Sequence, residues 1–409
     1  ADVAYTHLET VIHDYEGPEL YPAAEGAGGW LRAPQFLCDE LKWMGFDIVS
    51  HASNHCLDYS YGGLMSTWKA LKDAGIPFAG TGMNLAEARE PAYLDTGKGR
   101  VALISMCSSF TRGSRAGEAR RDIKGRPGLN PLRFYHTVDT NAIETIKQFA
   151  IKLGWWVEHY DNVWLFNPPG LHNTIHKFVV RDEPGFSTVA EEDDVEGNLR
   201  SLRQARQQAD YVLVHLHNHE FHPEKGLGYP PDFVPPFARA CIDSGADVFI
   251  AEGSGAELRG IEIYQGKPIF YDLGGIVRML TFLRLPFDFY FRPGYSPEIR
   301  KWEATATDGL EARQAYQSAI VNPPGGYQSQ PVGRQGVVAV CTFGEQRKLI
   351  ELKLHPTTRC AESVSQAGIP LLPDAAVSKK IIEFMRELSA PYCTEITFKG
   401  GTGLVKLSK

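Results

Sequence analysis

The feature that most constrains the fold is a repeated alternation of helix-like and strand-like segments. Residues 33–45, APQFLCDELKWMG, place Phe36, Leu37, Leu41 and Met44 on one helical face, and the following FDIVSHA is typical of a buried strand. The next segment, GGLMSTWKALKDAG, repeats the helical spacing and precedes the strand-like IPFAG. Two successive helix–strand units predict an α/β architecture in which helices pack on a sheet.

The rest of the chain divides into an irregular and a regular part. Between Cys107 and Asn198 the pattern is irregular, first basic and turn-rich and then strongly aromatic, which predicts an irregular insertion packed over the functional site. Regular segments surround it. They are the hairpin PAYLDTGKGRVALIS, the helices DDVEGNLRSLRQARQQA, PPFARACIDSGA and AVSKKIIEFMRELS, the hairpin GIEIYQGKPIFYDLGG, and the strands DYVLVHLHN, DVFIA, GVVAVCTF, KLIELKLHP and GLVKLS.

Composition excludes several classes of protein. The net charge of -7 is spread along the chain and provides no broad basic surface of the kind that binds nucleic acid. No run of about 18 apolar residues is present, so we expect no membrane span. The seven cysteines are odd in number and lack CxxC spacing, which favours free thiols and therefore a cytoplasmic location.

The strongest local signal is VHLHNHEFH at residues 214–222, with four histidines and one glutamate directly after an apolar run. Alternation along a strand places His215 and His217 on one face, and strand ends are where α/β proteins usually carry their sites. A solvated loop with locally bonded histidines is the alternative, but the density favours a metal site or catalysis. His217 is the first candidate ligand, followed by His219 and Glu220.

Two other predicted strand ends carry ligand-type side chains. In SHASNHCLDYSYGG, Asn54 offers an amide oxygen to a metal, and His55 an imidazole that can serve as a general acid. In AYTHLE, His7 and Glu9 share one face of a predicted strand. Each segment alone is typical of an ordinary turn or edge strand. Together with the histidine cluster they predict one divalent cation, and the mixture of imidazole, carboxylate and amide suits Zn, Mn or Fe(II).

The order of these motifs resembles that of the bacterial capsule-synthesis CapA (PGA_cap) family, whose fold is similar to that of calcineurin-like metallophosphoesterases. DVAYTHLE resembles the family strand that ends in Asn-Leu-Glu, SHASNHCLDYSYGG its Ala-Asn-Asn-His segment, and HNHE its metal-strand histidine. GRPGLNPLR and DSGADVFIAEGSGAELRGIEIYQGKPIFYDLGG resemble two further motifs. The resemblance implies a four-layer α/β fold, a metallophosphoesterase-like β-sandwich flanked by helices, with a metal centre at the strand ends.

Carried over onto this chain, the family pattern implies that Glu9, Asn54 and His217 ligate a metal and that His55 faces the substrate as an acid. The resemblance also implies four parts of the chain. They are residues 1–106 as the first half of the core, 107–198 as the insertion, 199–290 as the second half, and 291–409 as strands and a helix that complete the sandwich.

The departures from the family pattern concern the second metal. His7 stands where relatives have Asn, and the family strand ending in Gly-Asp would precede residue 1. The turn with two histidines in relatives reads AEGSG here, with Glu252 in place of the first and Gly255 in place of the second. We therefore expect one ion rather than two, with His219 or Glu252 completing its ligands.

The resemblance implies a metal-dependent hydrolase that cleaves a γ-glutamyl-like amide or an ester through a metal-activated water. A small or peptide-like anionic substrate is expected, and the basic residues of the insertion would bind it: Arg115, Arg120, Arg121 and Arg126. A lyase or epimerase with His215 or His219 as base is the first alternative. A non-enzymatic protein associated with a capsule or envelope polymer is the second. The sequence leaves open whether the chain forms a homo-oligomer.

Overall fold

A computed structural model describes residues 1–17, 19–24, 29–170, 175–253, 258–277, 284–292, 294, 299, 303–319, 335–360 and 368–407. In these ranges the α-helices are α1 (Leu37–Trp43), α2 (Ser60–Asp73), α3 (Leu85–Arg89), α4 (Thr140–Lys152), α5 (Glu192–Arg206), α6 (Val234–Asp243), α7 (Phe287–Tyr290), α8 (Ala306–Ala319) and α9 (Ala375–Ser389). None of them is long and apolar enough to cross a membrane.

The strands of the same ranges are β1 (Tyr5–His7), β2 (Val11–Ile12), β3 (Arg32–Ala33), β4 (Ile48–Ser50), β5 (Phe78–Ala79), β6 (Thr81–Gly82), β7 (Ala92–Thr96), β8 (Gly99–Cys107), β9 (Gly128–Leu129), β10 (Phe134–Val138), β11 (Trp156–Tyr160), β12 (Val163–Asn167), β13 (His176–Val180), β14 (Phe186–Ala190), β15 (Tyr211–His217), β16 (Val248–Glu252), β17 (Ile261–Tyr264), β18 (Lys267–Phe270), β19 (Gln335–Phe343), β20 (Leu349–Arg359), β21 (Pro370–Leu371), β22 (Ile396–Lys399) and β23 (Thr402–Val405). The helices and strands predicted outside the insertion are therefore present.

The central layer is a six-stranded sheet in the order β17-β18-β16-β15-β8-β7. Strands β8, β15, β16 and β18 run parallel, and β7 and β17 pair antiparallel at the two edges. The helices α5 and α6 cover one face, where Val212, Val214 and Leu216 pack with Leu202 and Phe237. This is the face that strand alternation predicts to be buried.

A second, three-stranded parallel sheet, β1-β4-β5, covers the other face of the central sheet. Leu103 of the central sheet and Ile48 of the second sheet pack together between the two layers. On its outer side the second sheet carries α1 and α2, through Leu41 and Leu71 packed on Val49. The resulting order of helices, sheet, sheet and helices confirms the four-layer fold.

One detail of α1 differs from the prediction. Leu41 is buried, but Phe36 is 62% exposed and Met44 is 37% exposed. The helix is only seven residues long, so these two residues occupy its N-cap and C-cap positions instead of the inward face. Both ends of the predicted apolar stripe thus lie outside the helix.

The insertion is more regular than predicted. Its residues form a five-stranded sheet, β11-β12-β13-β10-β14, with α4 packed on one face around Ile143, Ala150 and Phe166. Most side chains of these five-residue strands are exposed or half-buried, because a single helix covers the sheet. Polar residues interrupt the apolar ones in most of these strands, as in WVEHY of β11, although β12 carries the apolar run VWLF.

The last part of the chain adds an antiparallel sheet, β19-β20-β23-β22. This sheet and α9 pack against the β16–β18 end of the central sheet through Val248, Phe270, Leu354 and Met385. Residues 320–334, which precede it, lie outside the described ranges. All seven cysteines are unpaired.

Candidate metal centre

The carboxyl ends of four parallel strands, β1, β4, β15 and β16, meet at one edge of the two sheets. The register of these strands places His7 opposite Ser50 and His217 opposite Glu252, and β8 places Ser105 opposite His215. The three histidines therefore each have a polar partner on the adjacent strand. Two parallel sheets packed face to face bring the donors of both to the same edge.

Each partner holds one nitrogen of its histidine. His7 Nδ1 lies 2.8 Å from Ser50 Oγ, His215 Nδ1 lies 3.0 Å from Ser105 Oγ, and His217 Nδ1 lies 2.6 Å from a Glu252 carboxylate oxygen. A hydrogen bond at one ring nitrogen fixes the ring and determines which nitrogen faces the site. For His217 the nitrogen that remains is Nε2.

The Nε2 atom of His217 faces three further donors. It lies 2.9 Å from Asn54 Oδ1, 3.2 Å from His219 Nε2 and 3.8 Å from Glu9 Oε1. The ligand atoms of Glu9, His217 and His219 all lie within 4.8 Å of one another. Two imidazoles, a carboxylate and an amide oxygen thus converge on one point, a donor set that fits a single divalent transition-metal ion.

Glu252 lies on the opposite side of the His217 ring from Asn54. Its Oε1 is 2.6 Å from His217 Nδ1, 3.1 Å from His215 Nε2 and 3.5 Å from His7 Nε2. His7, His217 and Glu252 form a second group of ligand atoms within 4.8 Å. The contact with His217 Nδ1 is the shortest of the three, so Glu252 is the carboxylate that orients the His217 ring. Gly255 of the same turn lies outside the described residues.

Gly253 allows this turn to approach β15 closely. Its φ is +111°, and a Cβ atom there would meet the backbone of Asn218 at 3.0 to 3.1 Å. A residue with a side chain would therefore be strained and crowded directly after Glu252.

The charges of the cluster are set by the two carboxylates. Burial lowers the pKa of His217, but Glu252 and Glu9 outweigh it and raise that pKa to about 9. Burial raises the pKa of Glu252, yet the surrounding histidines hold it well below its usual range, and in the same way the pKa of Glu9 falls to about 2. Burial lowers the pKa of His7 to about 3. At neutral pH Glu9 and Glu252 are therefore carboxylates and His217 carries a proton that a bound cation would replace.

His55 stands beside the cluster and is held by a buried acid. Its Nδ1 lies 2.6 Å from Asp58 Oδ2, and its Nε2 lies 3.9 Å from Glu9 Oε1. Asp58 also accepts a hydrogen bond from the backbone N–H of Leu31. Burial raises the pKa of Asp58 above its usual value, and the neighbouring His55 offsets only part of this rise. Asp58 is absent from the residues that the sequence predicts for the site, although its spacing three residues after His55 in one turn is a usable signal.

Two predicted residues are directed elsewhere. The Glu220 carboxylate accepts hydrogen bonds from Ser108 Oγ at 2.7 Å and Ser109 Oγ at 2.6 Å, so it binds the end of β8 instead of joining the cluster. His215 is fully buried, with both ring nitrogens engaged by Ser105 and Glu252. It does not reach the open cleft and is poorly placed to act as a base.

The cluster opens into a cleft of about 2840 Å³ lined by Glu9, Asn54, His55, His219 and Glu252 among others. The four arginines predicted to bind substrate are all on the exposed surface: Arg115, Arg120, Arg121 and Arg126. Neither they nor any described residue of the insertion sheet line this cleft. The lysine and arginine residues that line the cleft are Arg32, Lys98, Arg284, Arg313 and Arg359.

Comparison with known proteins gives a consistent set of relatives. The sequence matches the family model described as bacterial capsule synthesis protein PGA_cap over residues 1–279. An uncharacterized protein of Sinorhizobium fredii is 31% identical over 100% of this chain and 86% of its own length. A "probable polyglutamine synthesis accessory protein" of Mycobacterium tuberculosis is 27% identical over 56% of this chain and 44% of its own. A "capsule biosynthesis protein CapA" of Bacillus anthracis is 24% identical over 60% and 44%.

Proposed function

Because the chain belongs to the bacterial capsule synthesis protein PGA_cap family, we propose that it is a metal-dependent hydrolase that cleaves an amide or ester bond of an anionic substrate. The observation that carries the proposal is the convergence of the ligand atoms of Glu9, His217 and His219 within 4.8 Å, beside a large cleft that Glu9 and His219 line. Asn54 completes this donor set. A group of this kind from three separate strand ends is difficult to explain by stability alone, since its carboxylate, Glu9, lies near a second one, Glu252.

One divalent ion would be held by Glu9, Asn54, His217 and His219. Such an ion lowers the pKa of a bound water and polarises a substrate oxygen. A neighbouring carboxylate would orient one of these ligands. Glu252 keeps His217 Nδ1 engaged, so that Nε2 faces the ligand position.

His55 is placed to donate a proton to the leaving group. Asp58 accepts from Nδ1 and thereby keeps Nε2 directed at the cluster, where it lies 3.9 Å from Glu9. A positioned imidazole of this kind contributes roughly 10²- to 10⁴-fold to a hydrolysis rate. The buried Asp58 would also stabilise the ring when it carries a charge.

The names of the relatives support an amide between glutamyl units as the bond that is cleaved. The Mycobacterium tuberculosis relative is named for polyglutamine synthesis and the Bacillus anthracis relative for capsule biosynthesis. A phosphoester is the second class to test, on the analogy of the metallophosphoesterase fold alone.

The test combines metal analysis with matched histidine variants. We expect purified protein to contain close to one equivalent of Zn, Mn or Fe, and His217→Ala to lose it. His222→Ala is the control, because His222 belongs to the same histidine-rich segment but pairs with Asp232 outside the cluster. The metal-loaded chain should hydrolyse γ-glutamyl peptides, and His55→Asn should not. Metal below about a tenth of an equivalent in the wild type would reject the proposal. Bound metal without hydrolysis of peptides or phosphoesters would favour a lyase or epimerase.

A further inference from the structure

The wall of the cleft near His55 carries two arginines on one tyrosine ring. The guanidinium carbons of Arg32 and Arg284 each lie 4.8 Å from the ring centroid of Tyr15. All three side chains line the same cleft as Glu9 and His55. A shared aromatic ring holds both guanidinium groups on the wall of the cleft that Glu9 and His55 also line.

The two arginines differ in how their charges are compensated. Arg32 donates from Nη2 to Asp14 at 2.6 Å and from Nε to the carbonyl oxygen of His13 at 2.6 Å. Arg284 is exposed, and among the described residues no carboxylate lies within 4.0 Å of its guanidinium. The pair therefore leaves one uncompensated positive charge on this wall.

The support beneath Arg284 is well packed. The Tyr15 ring meets the rings of His13 and Tyr59 edge to face, at 5.1 and 6.0 Å between centroids. Leu285, the neighbour of Arg284, packs into the apolar cluster that contains Tyr59. Tyr59 follows Asp58 in the chain, so the base under Arg284 is continuous with the residue that holds His55.

We propose that Arg284, stacked on Tyr15, binds an oxyanion of the substrate, a carboxylate or a phosphate, and thereby selects anionic substrates. Stacking occupies the face of a guanidinium and leaves its N–H edge for bidentate bonds to two oxygens. The inference rests on the proposed function for the nature of the cleft. It assigns substrate binding to Arg284 in place of the four arginines of the insertion, which lie away from the cleft.

The test measures binding without turnover, by calorimetry on metal-loaded protein carrying His55→Asn. The probes are γ-linked triglutamate with free carboxylates, the same peptide with every carboxylate converted to a carboxamide, and phenyl phosphate. Arg284→Gln should weaken binding of an anionic probe by about 10- to 100-fold, because charged hydrogen bonds are lost, and should leave the carboxamide peptide unchanged. Arg284→Lys keeps the positive charge but not the paired N–H donors of the planar guanidinium, so its affinity for the anionic probes should fall less than that of Arg284→Gln.

Arg120→Gln is the matched control, because Arg120 is an exposed arginine that pairs with Asp122 away from the cleft. Loss for the carboxylate peptide alone identifies a carboxylate subsite, and loss for phenyl phosphate alone identifies a phosphate subsite. The proposal is overturned if Arg284→Gln binds both anionic probes as tightly as protein with Arg284 intact, or if it loses affinity for the carboxamide peptide to the same extent. It is also overturned if protein with Arg284 intact binds neither anionic probe at millimolar concentration.

The two proposals fail in distinguishable ways. Arg284-dependent anion binding in a chain that hydrolyses nothing keeps the subsite and rejects the hydrolase. The second case is tested in protein that retains His55. If Arg284→Gln hydrolyses anionic substrates with the same KM as the wild type, the hydrolase proposal stands and the Arg284 subsite is rejected.

Discussion

The Nδ1 atom of His217 lies 2.6 Å from the Glu252 carboxylate, across the ring from the Asn54 oxygen that Nε2 faces at 2.9 Å. The sequence predicts Glu252 as a metal ligand, in place of a histidine of the family turn. In the structure its shortest contact is with His217, itself a candidate ligand. A carboxylate in this position orients the imidazole and increases its basicity.

Replacing Glu252 should therefore weaken metal binding without removing a ligand. We expect Glu252→Gln to lower metal affinity by about 10- to 100-fold, because the partner of a ligating histidine is lost. A competition titration with a chromophoric chelator measures this. Glu395→Gln, an exposed carboxylate paired only with Lys406, is the control. Unchanged affinity in Glu252→Gln would show that Glu252 does not support His217.

The metal-free chain should lose stability as pH rises from about 6.5 to 9. The pKa of His217 is about 9 in the folded chain, because Glu252 and Glu9 outweigh its burial, and about 6.5 when unfolded. A raised pKa stabilises fully below pH 6.5, and the contribution is lost as pH rises through 9. The difference in unfolding free energy between wild type and His217→Gln should fall by at most about 1.4 kcal/mol per pH unit. Urea titrations of chelator-treated protein measure it, and a pH-independent difference would contradict the assignment.

Asp58 should affect turnover through His55 and leave the metal in place. We expect His55→Asn to lower kcat by about 10²- to 10⁴-fold, and Asp58→Asn to lower it less, because His55 is still present but no longer held by a carboxylate. Metal content, measured by elemental analysis, should stay unchanged in both. Asp73→Asn, on the exposed side of α2, serves as control. Wild-type kcat in Asp58→Asn would exclude the positioning role.

The packing of the two sheets should be visible in stability. Leu103 is fully buried between them, so Leu103→Ala should lower the free energy of unfolding by about 2–5 kcal/mol. Leu372→Ala is the comparison, because Leu372 is 90% exposed and its change should stay within about 0.5 kcal/mol. Urea unfolding at constant metal content measures both. Equal stability of the two variants would place Leu103 outside the core.

The sequence by itself determined the elements and the family. Apolar periodicity is a local property, and outside the insertion it predicted the elements with a strongly buried face, as for β15 with Val212, Val214 and Leu216. The motif order predicted the family, which the match over residues 1–279 confirms. The strands of the insertion sheet, whose side chains are mostly exposed or half-buried, were not predicted.

The tertiary structure alone decided which donors meet. His217 and Asn54 are 163 residues apart, and His217 and Glu252 are 35 apart, yet both contacts are hydrogen bonds. Whether two residues face each other depends on the register of parallel strands and on how two sheets pack, and both arise from burial summed over many residues. For this reason the sequence predicts candidate ligands such as His217 and Asn54, while the partners Ser50, Ser105 and Asp58, and the cleft-lining Arg284, are visible only in the folded protein.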